Sequence, residues 1–212
     1  MKTRLSIFLF AWLLLCVHSS AQINDLSQSD MEALKEQAKN KVDQFNDYIS
    51  YIASKRRYKN AADQAEDSRN KDLAIVEACK LFIGEGKQSK DNYGNIIPAP
   101  IMQTSVKKRN GSIVMREDII PEYLRKMKNK KYTELVVKSS EAHFTSDAKK
   151  VGPDEYEMTL SYAQIYIGKM GEVTVYTDKT RKTIKVYVKR YIVDGRTRWH
   201  VLLGSVKVDA TE

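Results

Sequence analysis

Glu141 and His143 stand two residues apart in a stretch that reads as strand, so alternation puts both side chains on one face. A buried carboxylate beside an imidazole is a proton-transfer pair, because the carboxylate fixes the tautomer and raises the basicity of the ring. Their neighbours Thr145, Ser146 and Asp147 are polar and mark the approach of a strand end, where solvent is expected instead. His200, between Trp199 and Val201, reads as a satisfied sheet residue, with a ligand role as the alternative. Aromatic residues cluster in the same third of the chain: Tyr187, Tyr191 and Trp199 are interleaved with Arg196 and Arg198 and form a candidate binding surface. Aromatic faces among basic residues are what a stacking platform for single-stranded nucleic acid requires. Here the basic residues are spread along the chain with acids among them, so nucleic acid is not the expected partner.

Other chemistry has little footing. No two histidines stand at ligand spacing and neither His143 nor His200 has a cysteine nearby, so no metal is expected. No glycine-rich phosphate loop occurs, and Asp178-Lys179-Thr180 lacks the remaining acidic positions of a calcium loop. No cofactor is expected.

The 212 residues carry a formal charge of +9. Residues 1–21 have the form of a secretory signal peptide: Lys2 and Arg4, an apolar run from Leu5 to Val17, then Ser19-Ser20-Ala21 as the cleavage site. Leu13-Leu14-Leu15-Cys16 lacks the small residues of a lipidation site, so lipid anchoring is not expected. Cleavage after Ala21 removes two basic residues and no acidic one, leaving 191 residues with a charge of +7. The apolar run is too short for a good membrane span, and the mature chain is expected to be exported to the periplasm or beyond without a transmembrane segment. Cys79 would then be the only cysteine, so the fold must hold by its core, with Cys79 as a buried apolar residue.

The elements that must position these residues fall into two halves. After a leader at 22–29, Ser29 and Glu32 have capping-box spacing, and Met31, Leu34, Ala38, Val42, Phe45, Ile49 and Ile52 form one helical stripe. A second helix is predicted from Ala61 to Ile83, with Ala65, Leu73, Val76, Cys79 and Phe82 inside. A hairpin is predicted from Ile101–Val106 and Ser112–Arg116, then a short helix, Asp118–Met127, with Pro121 in its first turn. Strand returns at Tyr132–Phe144, a turn follows at Ala148–Pro153, and the last third is an antiparallel meander. In the meander Tyr156, Met158, Leu160, Tyr162 and Tyr166 share a face, as do Ile184, Val186 and Val188. The turn at Asp194-Gly195 suits a type I′ hairpin, and Gly204 marks a bulge in the final strand. Asp178–Lys182 reads as another turn, and Val206 falls on the face of His200 and Leu202. A sheet with one apolar face must bury it, and only the preceding helices can cover it.

Two helices, a small strand pair, a third helix and then long strands is an order that resembles the cone-shaped NTF2-like (cystatin-like) fold. The stretch Ile119-Ile120-Pro121-Glu122-Tyr123-Leu124 leading to Tyr132 is similar to its third helix and long strand. Thr159–Ile167 followed by Tyr176-Thr177-Asp178-Lys179-Thr180 is similar to secreted proteins of this type from Bacteroidetes. The resemblance implies an α+β fold, one domain over 30–212, in which N-terminal helices pack against a curved antiparallel sheet. Enzymes of that fold place Asp, His or Tyr in the mouth of the cone, which here makes Glu141, His143, Tyr162 and His200 the catalytic candidates, with Tyr187 also available. The fold hosts binding modules as readily as enzymes. The expected function is therefore a non-enzymatic binding or assembly module of the cell envelope, with an unidentified protein or a small apolar or anionic ligand as partner. The alternative is a small-molecule enzyme or carrier working by isomerase- or dehydratase-like proton transfer, and a dimer is left open.

Overall fold

The computed structural model describes residues 26–91, 94–107 and 110–211, so the expected signal segment and Cys16 lie outside the described residues. The first helix, α1 (Gln28–Ala53), starts earlier than the Ser29 cap predicts. Ser27 is the cap: its hydroxyl oxygen accepts from the Asp30 backbone N–H at 3.1 Å and donates to the Asp30 carboxylate at 2.6 Å. Asp30 at the third helical position also complements the positive end of the helix dipole. The predicted stripe is the buried face, from Leu34 through Ile52, with Asn46 as a polar member that the apolar pattern does not single out.

Helix α2 (Ala61–Cys79) departs from expectation. It stops short of Ile83, and its inner face is Lys71, Ala74, Ile75, Ala78 and Cys79. Ala65 is exposed, and Leu73 and Val76, predicted inside, are 60% and 52% exposed. The small side chains of Ala74 and Ala78 face the interior in their place, while Phe82 is buried from beyond the helix end and meets Phe45 edge-on at 4.8 Å. A short 3-10 turn (Ile83–Gly86) and a two-residue strand pair, β1 (Ser89–Lys90) with β2 (Ile96–Ile97), lead into the main sheet.

That sheet has six strands in the order β4-β3-β8-β7-β6-β5. They are β3 (Ile101–Lys107), β4 (Ile113–Ile119), β5 (Glu134–Gly152), β6 (Glu155–Met170), β7 (Val173–Val193) and β8 (Arg196–Thr211), with α3 (Ile120–Lys128) between β4 and β5. All neighbours are antiparallel except β3 and β8, which touch in parallel at Met102 and Val206. Three helices packed against a curved, mostly antiparallel sheet make an α+β fold, the layering that the sequence pattern predicts. Leu160, Val186 and Val201 point into the common core with α1, as that architecture demands.

Two predicted turns are strand. Asp178–Lys182 lies within the 21 continuous residues of β7, and Ala148–Gly152 continues β5 to a turn at Pro153-Asp154. Cross-strand partners on β6, and on β8 for much of β7, satisfy the backbone there and outweigh the local turn preference of Asp and Lys. Gly204 does form a bulge: Ile184 pairs with Val206 and Val186 with Leu203, so two residues of β8 oppose one of β7. The extra residue turns Val206 onto the core face, against the simple alternation that puts it with His200. A Cβ on Gly204 would stand 2.6 Å from Tyr187 Cε2 and 3.0 Å from Lys185 Cβ. Gly204→Ala is therefore expected to lower stability by about 1–3 kcal/mol in urea unfolding. Pairing it with Tyr187→Ser should recover part of the loss; no recovery would mean that the ring is not the obstacle.

The outer edge of β5 is handled in two ways. Near α1 the helix supplies acceptors: the Leu135 N–H donates to Ser54 Oγ at 2.8 Å and the Val137 N–H to Ser50 Oγ at 2.9 Å. Farther along, β5 shifts register against β6 between Ser140 and His143 and at three later points, with Glu141 at φ 56°.

Candidate functional site

The structure separates the sequence-predicted site residues. Glu141 and His143 sit at the first bulge of β5, both exposed. Glu141 is paired with Arg181 at 3.1 Å and Lys179 at 3.6 Å, while His143 Nδ1 lies 2.9 Å from the Glu141 backbone carbonyl. His200 is exposed on β8, separated from β5 by two intervening strands, β7 and β6, and edge-on to Tyr191 at 6.4 Å. Its imidazole pKa is lowered by partial desolvation and by the nearby Lys41 charge. The aromatic set divides as well. Trp199 turns toward the core and meets Tyr156 at 6.0 Å, whereas Tyr187 and Tyr191 belong to the other face of the sheet. Tyr162 is the one catalytic candidate that is buried, and its hydroxyl has no hydrogen-bond partner among the described residues.

A cavity of about 330 Å³ lies elsewhere, between α3, the β3–β4 hairpin and the inner face of β6 and β7. Its position follows from the topology. The β3–β4 hairpin joins the sheet through β8, and α3 follows directly from β4, so helix and hairpin stand over β6 and β7 with a gap between. Register then decides which side chains meet there. Lys182 pairs with Tyr162, Thr180 with Gln164 and Asp178 with Tyr166, and these positions continue the inward face of Ile184, Val186 and Val188.

Lys182 lines this cavity and is 2% exposed. Among the described residues its ammonium position has only soft contacts: Met102 Sδ at 3.7 Å and the Tyr166 ring centroid at 5.6 Å. Desolvation lowers its pKa to about 7, with Asp178 acting weakly in the other direction. Tyr123 on α3 and Tyr166 on β6 join their hydroxyls across the cavity wall at 2.8 Å. Both phenols are pushed well above their ordinary pKa by burial. Asp178 is oriented by the Thr180 hydroxyl at 2.9 Å, and Tyr132 stacks on Tyr176 at 6.2 Å to form the outer wall. Gly168 makes room for that wall, since a Cβ there would stand 2.6 Å from Tyr132 Cε1. Arg116, Lys126 and Lys130 are exposed around the cavity, with Lys126 bonded to Asp118.

The arrangement joins a phenol-lined hollow to one buried amine, with the cations Arg116, Lys126 and Lys130 outnumbering the carboxylates Asp118 and Asp178 around it. A neutral amine can accept a proton or attack an electrophile, a phenol pair can donate one hydrogen bond, and the outer cations attract anions. Among the described residues no cluster of three His, Cys, Asp or Glu is arranged to hold a metal ion. Cys79 is buried and its thiol pKa is raised by that burial.

Lys182 is not among the sequence candidates because the polar run Asp178–Lys182 reads as a turn, whereas it is strand. Counting back by two from Ile184 places Lys182 and Thr180 on the buried face, and that parity was the available signal.

No protein-family model matches the chain, and no curated protein matches it. Among solved structures, the chain is similar to a protein from Novosphingobium aromaticivorans DSM 12444 that is provisionally named a scytalone dehydratase. The two share 9% identity at a TM-score of 0.40, over 87% of this chain and 90% of that one.

Proposed function

We propose that the protein binds a small acidic molecule in the cavity beneath α3, as a non-enzymatic binding or carrier domain of an exported envelope protein. The observation that carries this reading is the Lys182 amine, held at the wall of a cavity of about 330 Å³ without a carboxylate partner at hydrogen-bond distance among the described residues. Burying an amine without such a partner is costly unless something compensates, and an anionic ligand would do so. The volume falls in the range of small-molecule sites, and the apolar walls would exclude water from the contact. Arg116, Lys126 and Lys130 would draw the acid in. The apolar stripe of α1 is not available as a binding surface, because it is spent on the protein's own core.

A second reading, proton transfer of the isomerase or dehydratase kind, is favoured by one observation: an amine whose pKa is brought to about 7 beside a pair of phenols. In that case Lys182 would be the base and the Tyr123–Tyr166 pair the hydrogen-bond donor. Glu141, His143 and His200 would take no part.

Ligand-observed NMR of the full mature chain against matched aliphatic and aromatic carboxylates and their primary amides tests the binding reading. Carboxylates should bind in preference to amides, and Arg116→Ala with Lys130→Ala should weaken them by about fivefold per charge at low salt. Equal binding of amides and acids, or no binding of either, would defeat it.

A further inference from the structure

We propose that Lys182 forms a reversible imine with the carbonyl carbon of a small oxo acid bound in this cavity. The proposal rests on the cavity being the ligand site described above and adds the substrate class: a carbonyl and a carboxylate in one molecule.

The argument starts from what surrounds the nitrogen. A lysine held for structure is usually paired with a carboxylate, as Lys71 is with Asp67 at 2.8 Å in the same protein. Lys182 is as deeply buried but meets a thioether and a ring face, neither of which stabilises an ammonium as a carboxylate does. Its surroundings therefore favour the free base, which is the form with a lone pair to share. The amine also lines a cavity rather than solid core, so a carbonyl compound has somewhere to stand. The phenols supply the remaining need. In the Tyr123–Tyr166 pair one hydroxyl donates to the other at 2.8 Å, which leaves the second hydroxyl with a proton to direct at a carbonyl oxygen.

The reaction balances without a further reagent. The Lys182 nitrogen lone pair forms a bond to the carbonyl carbon, and the π electrons of the C=O bond pass to oxygen. Transfer of one proton from nitrogen to that oxygen gives a neutral carbinolamine. Protonation of the hydroxyl lets it leave as water while nitrogen forms the C=N bond and gives up its last proton, so amine and carbonyl become imine and one water. The carboxylate of the oxo acid is left to face Arg116, Lys126 or Lys130 around the cavity.

The test treats the full mature chain with glyoxylate or pyruvate at pH 7 in the presence of cyanoborohydride, which reduces an imine to a stable secondary amine, followed by intact mass and peptide mapping. Lys182 is expected to be labelled at least about tenfold faster than any exposed lysine, since exposed lysines are almost wholly protonated at that pH. A carbonyl-free acid, propionate, should suppress labelling at Lys182 and leave surface labelling unchanged. Labelling spread over exposed lysines with none at Lys182 would overturn the proposal. If propionate is seen to bind by NMR in that same sample, only the imine fails; if it does not bind, the acid-binding reading fails with it. Lys182→Met, checked for folding by circular dichroism, should abolish the fast adduct, and its persistence at another residue would also overturn the assignment.

Discussion

Lys182→Met is expected to stabilise the protein by about 2–3 kcal/mol at pH 6 while eliminating acid binding. The physical origin is the burial of the ammonium. The Lys182 side chain is wholly within the fold and its pKa is brought down to about 7, against about 10.4 for a lysine in an unfolded chain. At about 1.4 kcal/mol per pKa unit the full penalty is several kcal/mol, and local relaxation and water entry reduce what is realised. The sign follows from proton counting. Between about pH 7 and pH 10 the unfolded chain carries a proton on Lys182 that the folded chain has released, so this group's contribution to stability rises with pH across that window. Below pH 7 both states are protonated and the penalty is constant. Methionine removes it, so the advantage of the variant should be largest in acid and fade toward pH 10. Above pH 10 both proteins should lose stability together, because Tyr123, Tyr162 and Tyr166 resist ionisation in the fold and ionise freely once unfolded. Urea unfolding at pH 6, 8 and 10 measures all of this. A variant less stable than the parent at pH 6 would mean that the ammonium is well compensated in the fold and that the account of this site is wrong.

The second large effect belongs to a buried ion pair remote from the cavity. Asp67→Asn is expected to destabilise the protein by about 2–3 kcal/mol. Lys71 Nζ lies 2.8 Å from Asp67 and also donates to the Ser54 carbonyl at 2.5 Å, so the pair fastens α2 to the end of α1. Tyr58 donates to the same carboxylate at 2.7 Å. Burial alone would raise the Asp67 pKa, but the hydrogen bonds from Lys71 and Tyr58 outweigh it and hold the carboxyl below its ordinary value. The Tyr58 phenol is in turn pushed up to about 12, chiefly by that hydrogen bond. Removing the carboxylate charge leaves the Lys71 ammonium buried and poorly compensated. The effect belongs toward the lower end of the range for buried pairs, because 9% of the Asp67 side chain still meets solvent. Asp67→Asn combined with Lys71→Met should cost less than Asp67→Asn alone, since no orphan charge remains. If the single substitution costs under about 0.5 kcal/mol, Lys71 must escape to water and the pair is not holding the helices together.

Both effects concern lysines, and both show where sequence reading reached and where it stopped. The stripe of α1 and the alternation of β6 were legible because each repeats one periodic signal over many residues, and the Asp194-Gly195 turn because that dipeptide accepts the positive φ at both positions that a type I′ turn requires. The buried face of α2 was not. Leu73 and Val76 are the larger side chains, but two alanines and Ile75 allow the helix to sit close, so size misled where fit decided. Val206 was misplaced because a single bulge reverses all later parity. The cavity was hidden for the same local reason: five polar residues resembling a turn interrupt the reading of β7 just where its inward positions become functional candidates. Glu141 and His143 attracted attention by residue type, yet they stand where the strand breaks its ladder, and neither type nor spacing reveals such a break.

That broken strand has a consequence for how the molecule meets its neighbours. An exposed strand margin is a template on which a foreign strand can dock, and long sheets are prone to growth by this route. Here the hydroxyls of Ser50 and Ser54 already occupy the first outward amides of β5, and the successive register shifts beyond them deny an incoming chain any straight run to zip along. Self-association through this margin is disfavoured by construction, and the protein can keep a strand of 19 residues at the rim of its sheet without inviting fibrous assembly.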